Sequence, residues 1–429
     1  MSYFWGRTSL VASLSLIAGL VSLGISQCES SNQSLASGER SPASENGDYG
    51  GIPVSLLTKE DIANSVGPEI AANRYPDHAK FEVGAIPVVG KVEYGFDPAA
   101  QEYIEKVLSQ YRPDYGVFVA MDARTGRIIA LANRSQNPVV QGENLALRAT
   151  FPAASIFKVV TAGAVLDTEK VRPDTRIAYN GANHTLYKRN VVETKENRWT
   201  RRITLREAFG SSVNTVFGKL GLFYAGPEML RTYAERFHFN HPIRADIPVQ
   251  TGYSRFTADD PWSVVSAASG FTQDNTMSPV HGAMIAATVA NDGVMMEPYV
   301  VESIVDQAGQ SMYKAAPRRT AIVVGPETAR QLRELFEQTV LTGTSRKSFR
   351  TAVRKRRFEN VEFGGKTGSL TGLNPRGKCD WFVGYALFGE NRIAVAALTV
   401  NEEKWRVKSS TLAQMFLTEY IRFQEAADR

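Results

Sequence analysis

Hydrophobic and polar positions along the chain fall into three regimes. Leu10 to Ile25 is an uncharged stretch of Leu, Val, Ile, Ala, Gly and Ser. Residues 29–51 carry almost no large apolar side chain; they cannot bury enough surface to offset the entropy of ordering, which predicts a flexible tether. From residue 52 periodic patterns begin. A short polar helical pattern around Thr58 to Ser65 and a β-like run from Phe81 to Val92 predict a short non-catalytic pedestal over 52–95, too small for an independent domain. Asp97-Pro98 supplies an N-cap followed by proline at the first helical position, and helical spacing runs from there to about Tyr111. Val117 to Met121 and Arg127 to Leu131 read as strands joined by the compact Asp122 to Gly126 connection, a hairpin.

About residues 150–345 read mainly as helix with Gly and Pro punctuation. Three more strands follow, Val361 to Thr367, Asp380 to Leu387 and Arg392 to Val400, with Gly389-Glu390-Asn391 turning between the last two. A closing helix from about Ser409 places Leu412, Met415, Phe416, Tyr420 and Phe423 on one stripe, the spacing of a face laid against a sheet. Five strands divided two and three around a large helical insertion predict an α+β fold.

Composition narrows the class. The chain has 429 residues, 43% of them hydrophobic, and two cysteines, which excludes disorder and a disulfide scaffold. Lys and Arg number 49 against 44 Asp and Glu, a net charge of +5 too small for a dedicated nucleic-acid binder. Arg7 and the amino terminus precede the apolar stretch, the layout of an export signal. The stretch is shorter than the roughly 20 residues of a spanning helix, yet its Ser and Gly flanks can extend it into a short anchor. Ile25-Ser26-Gln27-Cys28 resembles a bacterial lipoprotein box, which makes Cys28 a lipidation candidate. Residues 1–28 are therefore an export signal, membrane anchor or lipoprotein signal. Cys379 is left without an intramolecular partner. His238 and His241 lack a third ligand nearby and read as structural, so no metal or other cofactor is expected.

Three short motifs carry the chemistry. Ser155-Ile156-Phe157-Lys158 opens an apolar helical run after Pro152, and residues three apart share a helix face. A serine hydroxyl needs a base, and a buried amine whose pKa is lowered by desolvation can serve without histidine. Ser311-Met312-Tyr313-Lys314 repeats the spacing but opens no helix, and reads as an exposed strand. Ser212-Val213-Asn214 lies between two helical segments, the first started by a Thr204/Glu207 capping box. Its hydroxyl can relay a proton, and its amide can hold a peptide carbonyl at one end and the lysine at the other. Lys366-Thr367-Gly368 occurs once, at the end of a predicted edge strand. A P-loop would need glycine at Asn360 and a following helix. Lys366 instead offers a cation, Thr367 and Ser369 offer hydroxyls to a carboxylate, and Gly368 admits a substrate backbone.

In this order, 57 and 154 residues apart, the motifs resemble those of the transpeptidase domain of penicillin-binding proteins, the serine acyltransferases that cross-link peptidoglycan. The likeness covers about residues 96–425 and includes Phe96 to Gln101, Gly270 to Gln273, Ser278-Pro279, Ala290 to Gly293, Gly343-Thr344 and Asp380 to Tyr385. It implies a five-stranded antiparallel sheet flanked by helices, with the serine at the junction with the helical insertion. It also implies that Ser155 attacks a D-alanyl-D-alanine stem peptide, Lys158 takes its proton, and Ser212, Asn214 and Lys366 organise proton transfer. Thr367, Gly368 and Ser369 would bind substrate, with the N–H groups of Ser155 and Ser369 as oxyanion hole. Implied partners are peptidoglycan stem peptides, β-lactam antibiotics, the membrane and a wall-synthesis complex. The catalytic domain would work outside the cytoplasm, attached to the outer face of the membrane. Residues 29–95 cannot hold a glycosyltransferase domain, so a stand-alone transpeptidase is expected.

The alternatives share the nucleophile. A D,D-carboxypeptidase would use water as acceptor, a β-lactamase would hydrolyse its acyl-enzyme, and a β-lactam sensor or scaffold would bind without turnover. No Glu-x-x-Leu-Asn segment, which one class of β-lactamase uses for deacylation, lies between Asn214 and Lys366. A run of cations, Arg346, Lys347, Arg350, Arg354, Lys355, Arg356 and Arg357, reads either as a solvated loop or as a surface for anionic wall polymer or lipid headgroups.

Overall fold

The computed structural model describes residues 56–427 apart from 85 and 193–195. The apolar stretch, Cys28 and the tether lie outside the described residues. Among those described, no helix is long and apolar enough to cross a membrane.

Five antiparallel strands form the central sheet, numbered here in chain order: β1 (Tyr115–Asp122), β2 (Ile128–Ser135), β3 (Glu362–Leu373), β4 (Arg376–Phe388) and β5 (Asn391–Asn401). Their order is β3-β4-β5-β1-β2, so the first hairpin adds to the last strand of the C-terminal meander. Alternation divides the side chains between two layers. Val117, Val119, Trp381, Val383, Ala396 and Leu398 pack toward the insertion. Phe118, Phe382, Val395 and Ala397 pack beneath helices Pro98–Tyr111 and Ser409–Ala427. Asp97 caps the first of these helices by accepting from Ala100 N–H at 3.0 Å. On the second, Leu412, Phe416 and Tyr420 are buried, while Met415 and Phe423 sit at the layer's margin.

On the opposite face, helix Pro279–Ala290 is buried along its whole length, the pattern of a helix inside a core rather than on a surface. It packs on β5 and carries the insertion. The insertion also contains strands that helical spacing did not predict, among them Val294–Met296, Val301–Val305 and Arg319–Ile322. Ser311–Lys314 is a strand as expected, but Met312 and Tyr313 are buried, so it is exposed only at its ends.

The β-like run at 81–92 is two strands, His78–Val83 and Ile86–Tyr94, paired as a hairpin. Ile86–Tyr94 then pairs with Val301–Val305, which pairs with Ser311–Lys314. A four-stranded sheet is thus assembled from segments some 200 residues apart in sequence. Residues 301–314, a stretch read as part of the helical middle, complete the pedestal.

Candidate active site

Ser155 lies in a 3-10 turn, Ala154–Phe157, and the α-helix proper starts at Lys158 and runs to Asp167. Sequence spacing predicts one helix from Ser155; the tighter first turn is the difference. Ala154 has φ +49°, a left-handed conformation unusual for a residue with a Cβ. Two contacts hold that turn. Trp381 Nε1–H donates to Pro152 O at 2.9 Å, and Ala153 N–H donates to Asn275 O at 2.7 Å. Gly270, left-handed at the C-terminus of helix Pro261–Ser269, lies against Ala154; a Cβ there would stand 1.9 Å from Ala154 O.

Lys158 is wholly buried. Its Nζ lies 2.6 Å from Ser155 Oγ, 2.8 Å from Asn214 Oδ1 and 2.6 Å from Ser269 O, a carbonyl at a helix C-terminus. Burial holds its pKa well below the ordinary lysine value, and the charge of Lys366 pushes in the same direction. An amine kept neutral within hydrogen-bond reach of a hydroxyl is a general base.

Ser212 sits in the turn between helices Leu205–Gly210 and Asn214–Lys219, also left-handed at φ +54°. The Thr204/Glu207 capping box that starts the first helix is present. Lys366, on β3 and wholly buried, donates from Nζ to Ser212 Oγ at 3.0 Å and to Thr367 O at 2.8 Å. Burial lowers its pKa to about 7. Asn214 makes the lysine contact that its sequence context predicts. Its Oδ1 accepts from Lys158, while Nδ2, which carries two N–H donors, gives one to His184 O at 2.9 Å.

β3 is the edge strand expected of the third motif, although it continues past Gly368 to Leu373. Thr367, Gly368 and Ser369 line the cleft. The bare face of Gly368 meets Ala154 and Ile156: a Cβ there would lie 3.2–3.3 Å from their side chains, so the glycine admits the nucleophile turn itself. Thr344 Oγ1 and Thr367 Oγ1 share a hydrogen bond of 2.5 Å. The cleft has a volume of about 520 Å³ and brings together Ser155, Ser212, Asn214 and the third motif.

Phe271, from the Gly270 to Gln273 segment, also lines the cleft, as do His184, Trp405 and Lys408, which sequence reading passed over. None of the last three lies in a motif, and each reaches the site only through the path of its loop. The imidazole of His184 has a lowered pKa, first from burial and then from the two nearby lysines. His238 and His241 stand apart from the cleft-lining residues; their rings are 5.8 Å apart, and His238 Nε2 lies 2.9 Å from Pro242 O. Cys379 is buried and free.

The arrangement matches known proteins. The family model of the penicillin binding protein transpeptidase domain covers residues 116–419. The chain is 29% identical over 358 residues to the peptidoglycan D,D-transpeptidase PbpA of Mycobacterium tuberculosis, an alignment spanning 75% of this chain and 70% of that one. The D,D-transpeptidase domain of a peptidoglycan glycosyltransferase from Eggerthella lenta superposes with a TM-score of 0.65 at 25% identity, over 87% of this chain and 92% of the other. Penicillin-binding protein A of M. tuberculosis, as its penicillin G acyl-enzyme complex, superposes with a TM-score of 0.60 at 26% identity, over 79% and 81%. The matched segment takes in all three motifs and the cleft between them, and the chain belongs to the penicillin-binding protein transpeptidase domain family.

Proposed function

We propose that the protein is a peptidoglycan D,D-transpeptidase that works through a serine acyl-enzyme and is acylated by β-lactams. The observation that carries this reading is the contact of 2.6 Å between the buried, deprotonation-prone Nζ of Lys158 and Ser155 Oγ. Ser155 Oγ attacks the carbonyl of the penultimate D-alanine, and its proton passes to Lys158 Nζ. The C–N bond breaks and the departing D-alanine amine takes up a proton relayed through Ser212 Oγ, which Lys366 orients. An acceptor amine then attacks the ester, losing its proton to the same relay, and Ser155 regains its hydroxyl as the new amide leaves. The N–H groups of Ser155 and Ser369 face the developing oxyanion. Lys366, Thr367 and Ser369 hold the substrate carboxylate.

The similar PbpA of M. tuberculosis supports the same reaction class: it is a peptidoglycan D,D-transpeptidase, and penicillin-binding protein A of that organism has been captured as a penicillin G acyl-enzyme. The leader places the catalytic domain outside the cytoplasm, held to the membrane by an anchor or through lipidated Cys28.

Intact-mass analysis with penicillin tests the assignment. The wild-type protein should gain one drug mass that persists for hours, and Ser155→Ala should gain none while keeping its thermal transition. Labelling that survives in Ser155→Ala would place the nucleophile elsewhere, and rapid adduct loss with drug hydrolysis would make the protein a β-lactamase.

A further inference from the structure

The reaction proposed above makes no use of the cationic run before β3. The twelve residues from Arg346 to Arg357 hold seven Lys and Arg and no carboxylate, so with a chain total of +5 all the rest nets −2. The positive charge of the protein is concentrated here. All seven residues are exposed. Arg357 pairs with Glu425, but among the described residues no carboxylate lies within 4.0 Å of Arg346, Lys347, Arg350, Arg354, Lys355 or Arg356.

The run is fixed in place rather than loose. Phe349, Ala352 and Phe358 are buried in the layer beneath the sheet, and the Phe349 ring centre lies 5.3 Å from that of Phe382 and 5.8 Å from that of Phe363. Ser348 Oγ shares a hydrogen bond of 2.9 Å with Ser410 Oγ at the start of helix Ser409–Ala427, and Arg357 reaches Glu425 near its end. The two pins are separated by roughly 22 Å of helix. Six like charges held along that length without partners repel one another and cost the fold stability, which marks the strip as a surface for a polyanion outside the chain.

Its position selects the polyanion. Gln424, beside Glu425, donates to Asp97 Oδ2 at 3.5 Å, and Asp97 stands three residues after the pedestal strand Ile86–Tyr94. One end of the strip therefore adjoins the pedestal, the part of the described chain that follows the apolar stretch, and the other adjoins Thr344 at the rim of the cleft. Some 30 residues separate Ile25 from Leu56, and a flexible chain of that length has a root-mean-square reach of roughly 30 Å. A domain so confined meets the bilayer at a high effective concentration, whereas a wall polymer has to arrive by diffusion. We infer that the strip docks the catalytic domain on a bilayer of anionic phospholipid, whose phosphate groups pair with these cations, and so holds the cleft close to the membrane. The inference rests on the anchored reading of residues 1–28.

Flotation of the full chain with vesicles is the test, with a specific protease site placed within residues 29–51 so that the catalytic domain can be freed after reconstitution. Before cleavage the chain should float with phosphatidylcholine vesicles whether or not they contain roughly 30% phosphatidylglycerol. After cleavage the wild-type domain should leave the neutral vesicles, stay on the anionic ones, and come off these in about 1 M salt. Each cation lost should weaken partitioning by about fivefold, so Arg350→Gln, Arg354→Gln and Lys355→Gln together should weaken it by about a hundredfold with penicillin acylation unchanged. Arg346→Gln with Lys347→Gln, at the other end of the strip, should weaken it by about 25-fold if the triple variant folds poorly. Release of the wild-type domain from both vesicles alike, or unchanged retention of both variants, overturns the docking and leaves the anchor standing. Release from the anionic vesicles together with salt-sensitive binding to isolated sacculi gives the strip to wall polymer and overturns the docking as well. A chain that floats with neither vesicle before cleavage overturns the anchored reading and the docking with it.

Discussion

Two buried lysines in one site are costly, and the cost is part of the chemistry. Lys158 and Lys366 each have hydrogen-bond partners but no carboxylate among them. Burial drives both toward the neutral form, Lys366 from 10.5 to about 7. A lysine whose folded pKa lies below its unfolded value makes the unfolded chain bind more protons between those two values, so stability rises with pH from about 7 to about 10.5. Lys366→Met removes the penalty. It should stabilise the protein by about 1–3 kcal/mol at pH 6, with the gain shrinking at pH 9, as read from denaturation midpoints at the two pH values. Residual penicillin acylation should fall, and its acid limb should move to higher pH, because the neighbouring cation that helps keep Lys158 neutral is gone. A variant that is less stable at pH 6 would show that Lys366 contributes more through its bonds to Ser212 and Thr367 than burial takes away.

At the scale of elements, the nucleophile is aimed by a turn that local propensity does not favour. Ala154 is left-handed, and Gly270 packs against its carbonyl where a side chain would collide. Gly270→Ala would force a Cβ to 1.9 Å from Ala154 O at φ +65°. Penicillin acylation should slow by about tenfold or more, since small displacements of a nucleophile are expensive, and stability should fall by roughly 1–3 kcal/mol. Gly226→Ala separates the two effects: its φ is +77°, but nothing lies within 4 Å of the added Cβ. It should cost roughly 1–3 kcal/mol in stability, since φ +77° with ψ 165° suits glycine alone, and leave acylation unchanged. Equal slowing in both variants would mean that Gly270 acts through general strain.

These elements also show where sequence reading succeeds. Asp97 and Thr204 announce helix starts through side-chain chemistry that acts within three residues, and both cap as that chemistry predicts. The five strands and the C-terminal stripe follow from periodicity, and the three motifs meet in one cleft as their resemblance implies. What escaped is what tertiary contact decides. The left-handed Ala154 and Ser212 carry no local signal, because a non-glycine residue enters that region only when its surroundings compel it. His184 reaches the cleft on a loop whose sequence gives no period, and that loop's carbonyl takes one N–H of the Asn214 amide.

The whole molecule is braced from its N-terminal side. Asn144, buried in the segment that leads to the nucleophile, donates from its main chain to Ala71 O at 2.8 Å and from Nδ2 to Ile70 O at 3.1 Å. Asp246 ties the insertion to the same region by accepting from Val300 N–H and Val301 N–H. The hairpin His78–Val83 and Ile86–Tyr94 covers the edge of Val301–Val305, and Ile62, Val66, Ile70, Phe81 and Val92 are all buried in the core that also contains Ser155's neighbours. At roughly 1.5–3 kcal/mol for each fully buried large apolar side chain, their removal costs about as much as a net stability of about 5–15 kcal/mol. It would also leave an unpaired strand edge open to intermolecular pairing. A chain begun at residue 96 holds every motif residue and yet should lack a cooperative thermal transition, aggregate, and fail to bind penicillin. A chain begun at residue 54 keeps every described element and should bind it as the full chain does. If the shorter chain acylates normally, the N-terminal segment is an appendage and the fold of the catalytic core is complete without it.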